Sequence, residues 1–416
     1  MHLKEWSMSK GGTDHPDPAH SQPGADERML AADVAGFGWD LFHMLRSPGS
    51  SICLSPYSIS MALAMAYAGA VGETARQMAE VVRFSLPGER LHRAFESLSR
   101  RLIRGAGEEA RHGNAPTRLD LLNGLWVQQG YPIRDEFMKL LIDRYSASLR
   151  DVDFHRDTEG SRREINRWAS EGSQGRIPEL VSPGAVDAMT TLILTNAVFF
   201  KGEWLHVFDP DSTEEGSFLL QSGQSVRVPM MRQSAEFGYL RRKDFQAIRL
   251  PYSGREIALL VILPDEGRFD TLAQAFDPTL SADVNRELSR LPVRLKMPRF
   301  RLRSALHAKD GLAKLGLHNP FSAEANFGGI SPMGDLFISE LLHQSHISLD
   351  EAGTEATAAS AVAMSRSMPS HEMVILTVDR PFLFVIHDLP SDTALFLGQV
   401  MDPSGERELS VANPAR

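Results

Sequence analysis

Residues 350–366 read Asp350-Glu351-Ala352-Gly353-Thr354-Glu355-Ala356-Thr357-Ala358-Ala359-Ser360-Ala361-Val362-Ala363-Met364-Ser365-Arg366. After the acidic pair comes one glycine and then a run that is small apart from Glu355, with no bulky apolar side chain before Val362. Such a segment has little to bury as a core strand, and with no proline and little charge it makes a poor linker. It suits a mobile strand that slides between two existing strands without steric obstruction. Side chains on a strand alternate between faces. Counting from Thr354, one face carries Thr354, Ala356, Ala358, Ser360 and Val362, and the first four are small. Gly353 supplies backbone freedom at the pivot. Behind the run, Ser365-Arg366-Ser367-Met368 forms a peptide that can be presented to a protease.

The rest of the composition narrows the classes. The chain has 416 residues, 42% of them hydrophobic, which is enough for a large core. No composition break divides it, so one large domain is expected over 31–404, with a disordered N-terminal tail (1–30) and a C-terminal tail (405–416). The net charge of −9, from 44 Lys and Arg against 53 Asp and Glu, lacks the positive field that non-specific nucleic-acid binding needs. The single cysteine, Cys53, excludes a disulfide framework or a cysteine-rich zinc site within one chain. It sits in the apolar run Ile52-Cys53-Leu54, where a buried, inert thiol is expected. No apolar run approaches the roughly 20 residues of a membrane span. The first residues lack the apolar stretch of a secretory signal, so the chain as given reads as cytosolic, or as secreted if its true start lies elsewhere.

Helical spacing predicts a first helix over 32–45, with Val34, Phe37, Leu41 and Leu45 on one face. Ser55-Pro56 opens a second, Met- and Ala-rich helix, with proline where its missing N–H costs least. Further helices are expected from Glu73 towards Val81, over 91–104 after a turn at 86–90, over 135–145 and over 161–171. The nearly continuous apolar run 190–200 reads as a strand buried on both faces. Strands are expected at 226–230, 245–250, 257–263, 293–302, 373–377, 382–387 and 394–400. Pro298 should place the 293–302 strand at an edge or bulge. Helices early and strands late favour an α+β architecture.

Enzyme signatures are missing: there is no Gly-x-Ser-x-Gly elbow, no phosphate-cradling Gly-x-x-x-x-Gly-Lys and no His-Glu-x-x-His. The chain is expected not to be an enzyme and to need neither cofactor nor metal. His343 and His346 lie three apart, which on a strand puts them on opposite faces and argues against a metal pair. Arg299, Arg301 and Arg303 alternate along one strand. A solvated edge is the simpler reading, and a polyanion site the sharper one.

Five separated segments carry a resemblance. They are Ser55-Pro56-Tyr57-Ser58-Ile59-Ser60 with Gly69-Ala70-Val71-Gly72-Glu73-Thr74; Ile165-Asn166-Arg167-Trp168 with Gly175-Arg176-Ile177; Thr195-Asn196-Ala197-Val198-Phe199-Phe200-Lys201-Gly202-Glu203-Trp204; Asp379-Arg380-Pro381-Phe382-Leu383-Phe384 with Phe396-Leu397-Gly398-Gln399-Val400; and 351–360 itself. In this order, over about 37–403, the chain resembles the serpins, and its 351–360 segment resembles that of the inhibitory members. Ser51 and Ser173 stand where asparagine and threonine are common in the family. Thr357 interrupts the usual alanine run at an outward-facing position.

The resemblance implies a fold of three β-sheets and eight to nine helices with an exposed reactive-centre loop, roughly 353–374. It implies an irreversible suicide-substrate inhibitor of serine proteases. The target's serine forms a covalent acyl complex with the loop, and the cleaved loop enters the central sheet. The implied hinge is Glu351, Gly353, Thr354, Glu355, Ala356, Thr357, Ala358, Ala359 and Ser360, with Glu351 paired to a basic residue that the sequence does not identify. The implied polar shutter beneath the sheet is Ser55, Ser58, Asn196 and His343. Counting from Glu351, the scissile bond falls at Arg366–Ser367 or Ser367–Met368, with Met364–Ser365 a third candidate. Arg366 would suit the acidic pocket of a trypsin-like enzyme. The implied partner is the target protease alone, with no nucleic acid and no membrane. The chain itself would be a monomer that can polymerise through loop–sheet insertion. A non-inhibitory relative acting as carrier, chaperone or storage protein is the alternative.

Overall fold

The structure is a computed structural model that describes residues 22–108, 117–354, 373–405 and 408–411. The expected hinge residues Glu355–Ser360 and the candidate scissile positions Met364, Arg366, Ser367 and Met368 lie outside the described residues.

Helix α1 (Ala25–Leu45) buries Leu30, Val34, Phe37, Leu41 and Phe42 along one face. It begins earlier than its apolar spacing indicates. Asp26 and Glu27 in the first turn suit the positive helix N-terminus, and Glu27 Oε2 accepts a 3.1 Å bond from the Gly24 N–H. Residues 25–30 therefore belong to the folded domain and not to the expected tail. After β1 (Ile52–Leu54), Ser55 caps α2 (Pro56–Tyr67) by accepting from Ser58 N–H. Nearly every residue of α2 is buried, which explains its small Met/Ala composition. Then come α3 (Glu73–Val81), α4 (Gly88–Glu108), β2 (Arg118–Gln128), α5 (Asp135–Leu140), β3 (Ser148–Val152), α6 (Thr158–Gly172) and β4 (Leu192–Glu203). Helix α4 absorbs most of the turn expected at 86–90. The predicted 135–145 helix is α5 continued by a π-helical turn, Leu141–Tyr145.

The second half holds β5 (Glu214–Leu219), β6 (Ser225–Arg241), β7 (Phe245–Pro251), β8 (Ile257–Pro264), α7 (Phe269–Ala275), α8 (Pro278–Glu287), β9 (Ser289–Pro298), β10 (Phe300–His307) and α9 (Ala308–Lys314). It closes with β11 (Ile338–Leu349), β12 (Gly353–Thr354), β13 (Val374–Thr377), β14 (Phe382–Asp388), β15 (Thr393–Val400) and β16 (Glu408–Val411). The last strand lies within what was expected to be a C-terminal tail.

The strands form two hydrogen-bonded ladders. One orders β1-β15-β14-β8-β7-β6-β9-β13, with β5 on β6; the other orders β16-β10-β11-β12-β4-β2-β3. The three sheets expected count as two because β6 runs through the junction. Its start pairs β5, its end pairs β7, and β9 spans the stretch between, from Met230 to Tyr239. The predicted 293–302 strand is two strands in different ladders. Pro298 ends β9, Arg299 makes the crossing, and Phe300 starts β10. A proline cannot donate to a ladder, so it marks the exit from one sheet.

Strand β4 sits at the centre, and its first nine residues are all buried, as the apolar run predicts. Helix α2 lies under it. On the opposite side, Ile165 of α6 packs with Trp126, Phe154, Val181, Ile193 and Leu342. Among the described residues no helix is long and apolar enough to cross a membrane.

Candidate functional site: a parted strand seam

Strands β4 and β11 run parallel and pair from Ile338↔Leu192 to His346↔Phe199. Above that register they part, and β12 occupies the gap. Thr354 pairs with Leu349 on one side and Gly202 on the other, while Gly353 pairs with Glu203. Gly353 and the first residue of the run, Thr354, are therefore already strand residues in the gap between β11 and β4.

Space explains the glycine. A Cβ on Gly353 would lie 2.0 Å from the Gly202 carbonyl oxygen and 2.8 Å from Glu203 Cα, so backbone contact, and not only torsional freedom, excludes a side chain. The turn before it is tight. Asp350 N–H donates to the Gly353 carbonyl at 2.8 Å, and Asp350 Oδ1 accepts from the N–H groups of Ala352 and Gly353. Burial pushes the Asp350 carboxyl up, against those two backbone donors. Trp204 clamps the turn twice, donating from its backbone N–H to the Ala352 carbonyl and from Nε1 to the Asp350 carbonyl, each at 2.9 Å.

Glu351 faces inward and is 6% exposed. Its Oε1 accepts from Arg299 Nη2 at 2.5 Å and from Thr213 Oγ1 at 2.6 Å. Burial alone would raise its carboxyl, but these two donors hold it below the ordinary carboxylate range. The basic partner left open by the sequence is thus Arg299, at the single-residue crossing between β9 and β10. Arg299 therefore leaves the arginine triplet that read as one solvated edge. The edge reading also fails for Arg303, which stands opposite Glu408 in the β10–β16 register. Thr354 is fully buried, and its Oγ1 lies 2.7 Å from the Tyr252 hydroxyl. Tyr252 stacks on Trp204 with ring centroids 4.5 Å apart and meets Phe200 edge-on at 4.8 Å.

Lower on the seam Ser55, Ser58, Asn196 and His343 lie together, joined by hydrogen bonds. His343 and Asn196 are register partners across β11 and β4. The Ser55 backbone N–H donates to His343 Nε2 at 3.3 Å, so Nε2 is the unprotonated nitrogen. Nδ1 then carries the proton and donates to Asn196 Oδ1 at 2.6 Å. Ser58 Oγ donates to the same oxygen at 2.7 Å. Burial lowers His343 to about 3, so the ring is neutral. Asn196 Nδ2 donates onward to Asn123 Oδ1 at 2.6 Å, and Asn123 Nδ2 reaches Met61 Sδ at 3.2 Å. The sequence reading missed Asn123, although a lone polar residue inside the apolar strand Leu121-Leu122-Asn123-Gly124-Leu125 was a usable signal. It also missed Tyr252, for which no local signal exists.

His346 is half-buried, and the β11 alternation turns it away from the His343 face. Among the described residues no cluster of three or more His, Cys, Asp or Glu could hold a metal ion. Cys53 is fully buried, and burial pushes its thiol up to about 12, as an inert core cysteine requires.

A family model described as Serpin (serine protease inhibitor) matches residues 32–403. The chain is 36% identical to the leukocyte elastase inhibitor of Bos taurus over 390 residues, which cover 91% of this chain and 100% of that protein. It is 34% identical to an uncharacterized serpin-like protein of Thermococcus kodakarensis over 379 residues, covering 91% of this chain and 86% of the relative. Human thyroxine-binding globulin superposes with a TM-score of 0.82 at 26% identity, covering 92% of this chain and 100% of that one. The thermophilic serpin tengpin in its native state superposes with a TM-score of 0.81 at 25% identity, covering 92% and 96%. With a matching family model over nearly its whole length, and a strand seam parted at the segment that first suggested it, the chain belongs to the serpin family.

Proposed function

We propose that the chain is an irreversible suicide-substrate inhibitor of a trypsin-like serine protease, cleaved at Arg366–Ser367. The protease serine Oγ attacks the Arg366 carbonyl, the Arg366–Ser367 peptide bond breaks, and the amine of Ser367 leaves with the C-terminal part of the chain. Arg366 remains joined to the enzyme as an ester. The freed strand then enters the seam between β11 and β4 behind Thr354, and the displaced enzyme loses the geometry needed to hydrolyse the ester. Residues Glu351 to Ser360 act as the hinge. Ser55, Ser58, Asn196 and His343 act as a shutter whose hydrogen bonds must rearrange as the seam opens. Each backbone hydrogen bond gained contributes about 0.5–1.5 kcal/mol net.

The observation that carries the reading is Thr354 paired on both sides inside the seam, with Gly353 paired to β4 beside it, followed by a sequence of mostly small residues. A carrier or storage role would not require small side chains there. The test is to mix the chain with trypsin and run a denaturing gel under reducing conditions. A covalent band at the summed mass is the expected result; cleaved chain without that band refutes trapping. Mass spectrometry of the released peptide separates Arg366–Ser367 from Ser367–Met368 and Met364–Ser365.

A further inference from the structure

The two edges of the seven-stranded ladder differ. Strand β3 at one edge is five residues long and presents the exposed charges of Arg150 and Asp151. Short, charged edges resist pairing with other chains. Strand β10 at the other side is eight residues long and alternates with Leu302, Ser304 and Leu306 buried. A strand of that length and pattern is a template for strand addition. Its outer side is covered from Arg303 to Leu306 by β16, in the parallel register Arg303↔Glu408 to Leu306↔Val411. Strand β16 follows the stretch that the family model matches, which ends at residue 403. It is tethered at the far ladder, where Met401 N–H donates to Ser51 Oγ at 2.9 Å just after β15 ends. Among the described residues no other strand pairs with the outer side of β10.

We infer that Glu408–Val411 is a built-in edge strand that seals β10 against strand addition by a second copy of this chain. The inference is independent of protease trapping, because it concerns the side of the ladder away from the seam. Its chemistry is backbone pairing, in the four-residue parallel register that joins β16 to β10.

The test compares the full chain with a chain ending at Ser404 and with the double variant Leu409→Pro, Ser410→Pro. The double variant keeps the length but removes two successive backbone donors, and it serves if the shortened chain does not fold. Amide hydrogen exchange within 303–306 should quicken by roughly tenfold or more in both. Light scattering after size exclusion should show both variants forming multimers at concentrations where the full chain is monomeric. These multimers should persist in a Thr354→Arg background, which blocks loop entry at the seam. Unchanged exchange overturns the pairing. Faster exchange with unchanged mass overturns the seal, as does loss of the multimers in the Thr354→Arg background, which would assign them to the loop.

Discussion

The hydroxyl of Thr354 lies 2.7 Å from that of Tyr252, and both side chains are fully buried. This bond fastens β12 to the neighbouring ladder, since Tyr252 follows β7. Removing either hydroxyl leaves the other buried without this partner. In a double-mutant cycle of Tyr252→Phe and Thr354→Val, urea unfolding should give a coupling of about 1 kcal/mol. Additive effects would show that the two groups are merely adjacent.

Thr354→Arg places a long charged side chain at a position that has no exposed surface. The variant should remain cleavable by trypsin yet form no covalent band on a denaturing gel. A retained band would refute entry of the loop behind Thr354. In the unaltered protein, the cleaved form should melt well above the intact form, as release of stored strain requires; equal melting temperatures would contradict the mechanism.

Gly353→Ala should expel the turn, because the added carbon meets the Gly202 carbonyl oxygen and the Glu203 backbone. Trp204 is bonded to both Asp350 and Ala352, so it reports the change. Tryptophan emission should shift in Gly353→Ala, and the shift should vanish when Trp204 is also replaced by Phe. An unshifted spectrum would mean that the backbone yields instead.

Acid should weaken the fold through two buried histidines. Burial lowers His343 to about 3, and burial together with Arg249 lowers His387 to about 4. Unfolding returns each to its ordinary value of about 6.5, so the unfolded chain binds more protons below that pH. Their contribution is complete above about pH 6.5 and declines by about 1.4 kcal/mol per pH unit for each ring as pH falls towards the folded values. The first unfolding transition, followed in urea from pH 7 to 5, should show this slope. His387→Gln should remove about half of it; an unchanged slope would refute the assignment.

Arg299→Gln should cost about 1 kcal/mol or less, since Arg299 is 43% exposed and solvent screens its charge. The informative change is in pH dependence. The Glu351 carboxyl is held below its ordinary range, so its contribution is present above about pH 4.5 and is lost as pH falls through the lowered value. The variant should show a flatter acid limb in a pH series of unfolding measurements.

Much of this was legible before the structure. The apolar run at 190–200 declared a strand buried on both faces, and Ser55-Pro56 declared a helix start, because each rests on local chemistry. Pro298 was noticed but misplaced. A proline says that a ladder is interrupted, not that the chain changes sheets there. Helix α1 begins before its apolar face does, because its first turn is stabilised by charge and not by burial. The four seam residues Ser55, Ser58, Asn196 and His343 were named through family resemblance, and their part as a shutter belongs to the proposed function. Arg299 and Tyr252 were not, since their roles arise only from contacts between segments distant in sequence.

The wedge formed by Gly353 and Thr354 has a kinetic consequence on the proposed mechanism. Starting an ordered array is harder than lengthening one, because the first contacts fix several residues for little return, as in helix initiation. Here the first contacts on both flanks exist before any encounter with an enzyme. The race against hydrolysis therefore begins from elongation, and its pace is governed by how quickly Ala356, Ala358 and Ser360 follow, one rung at a time.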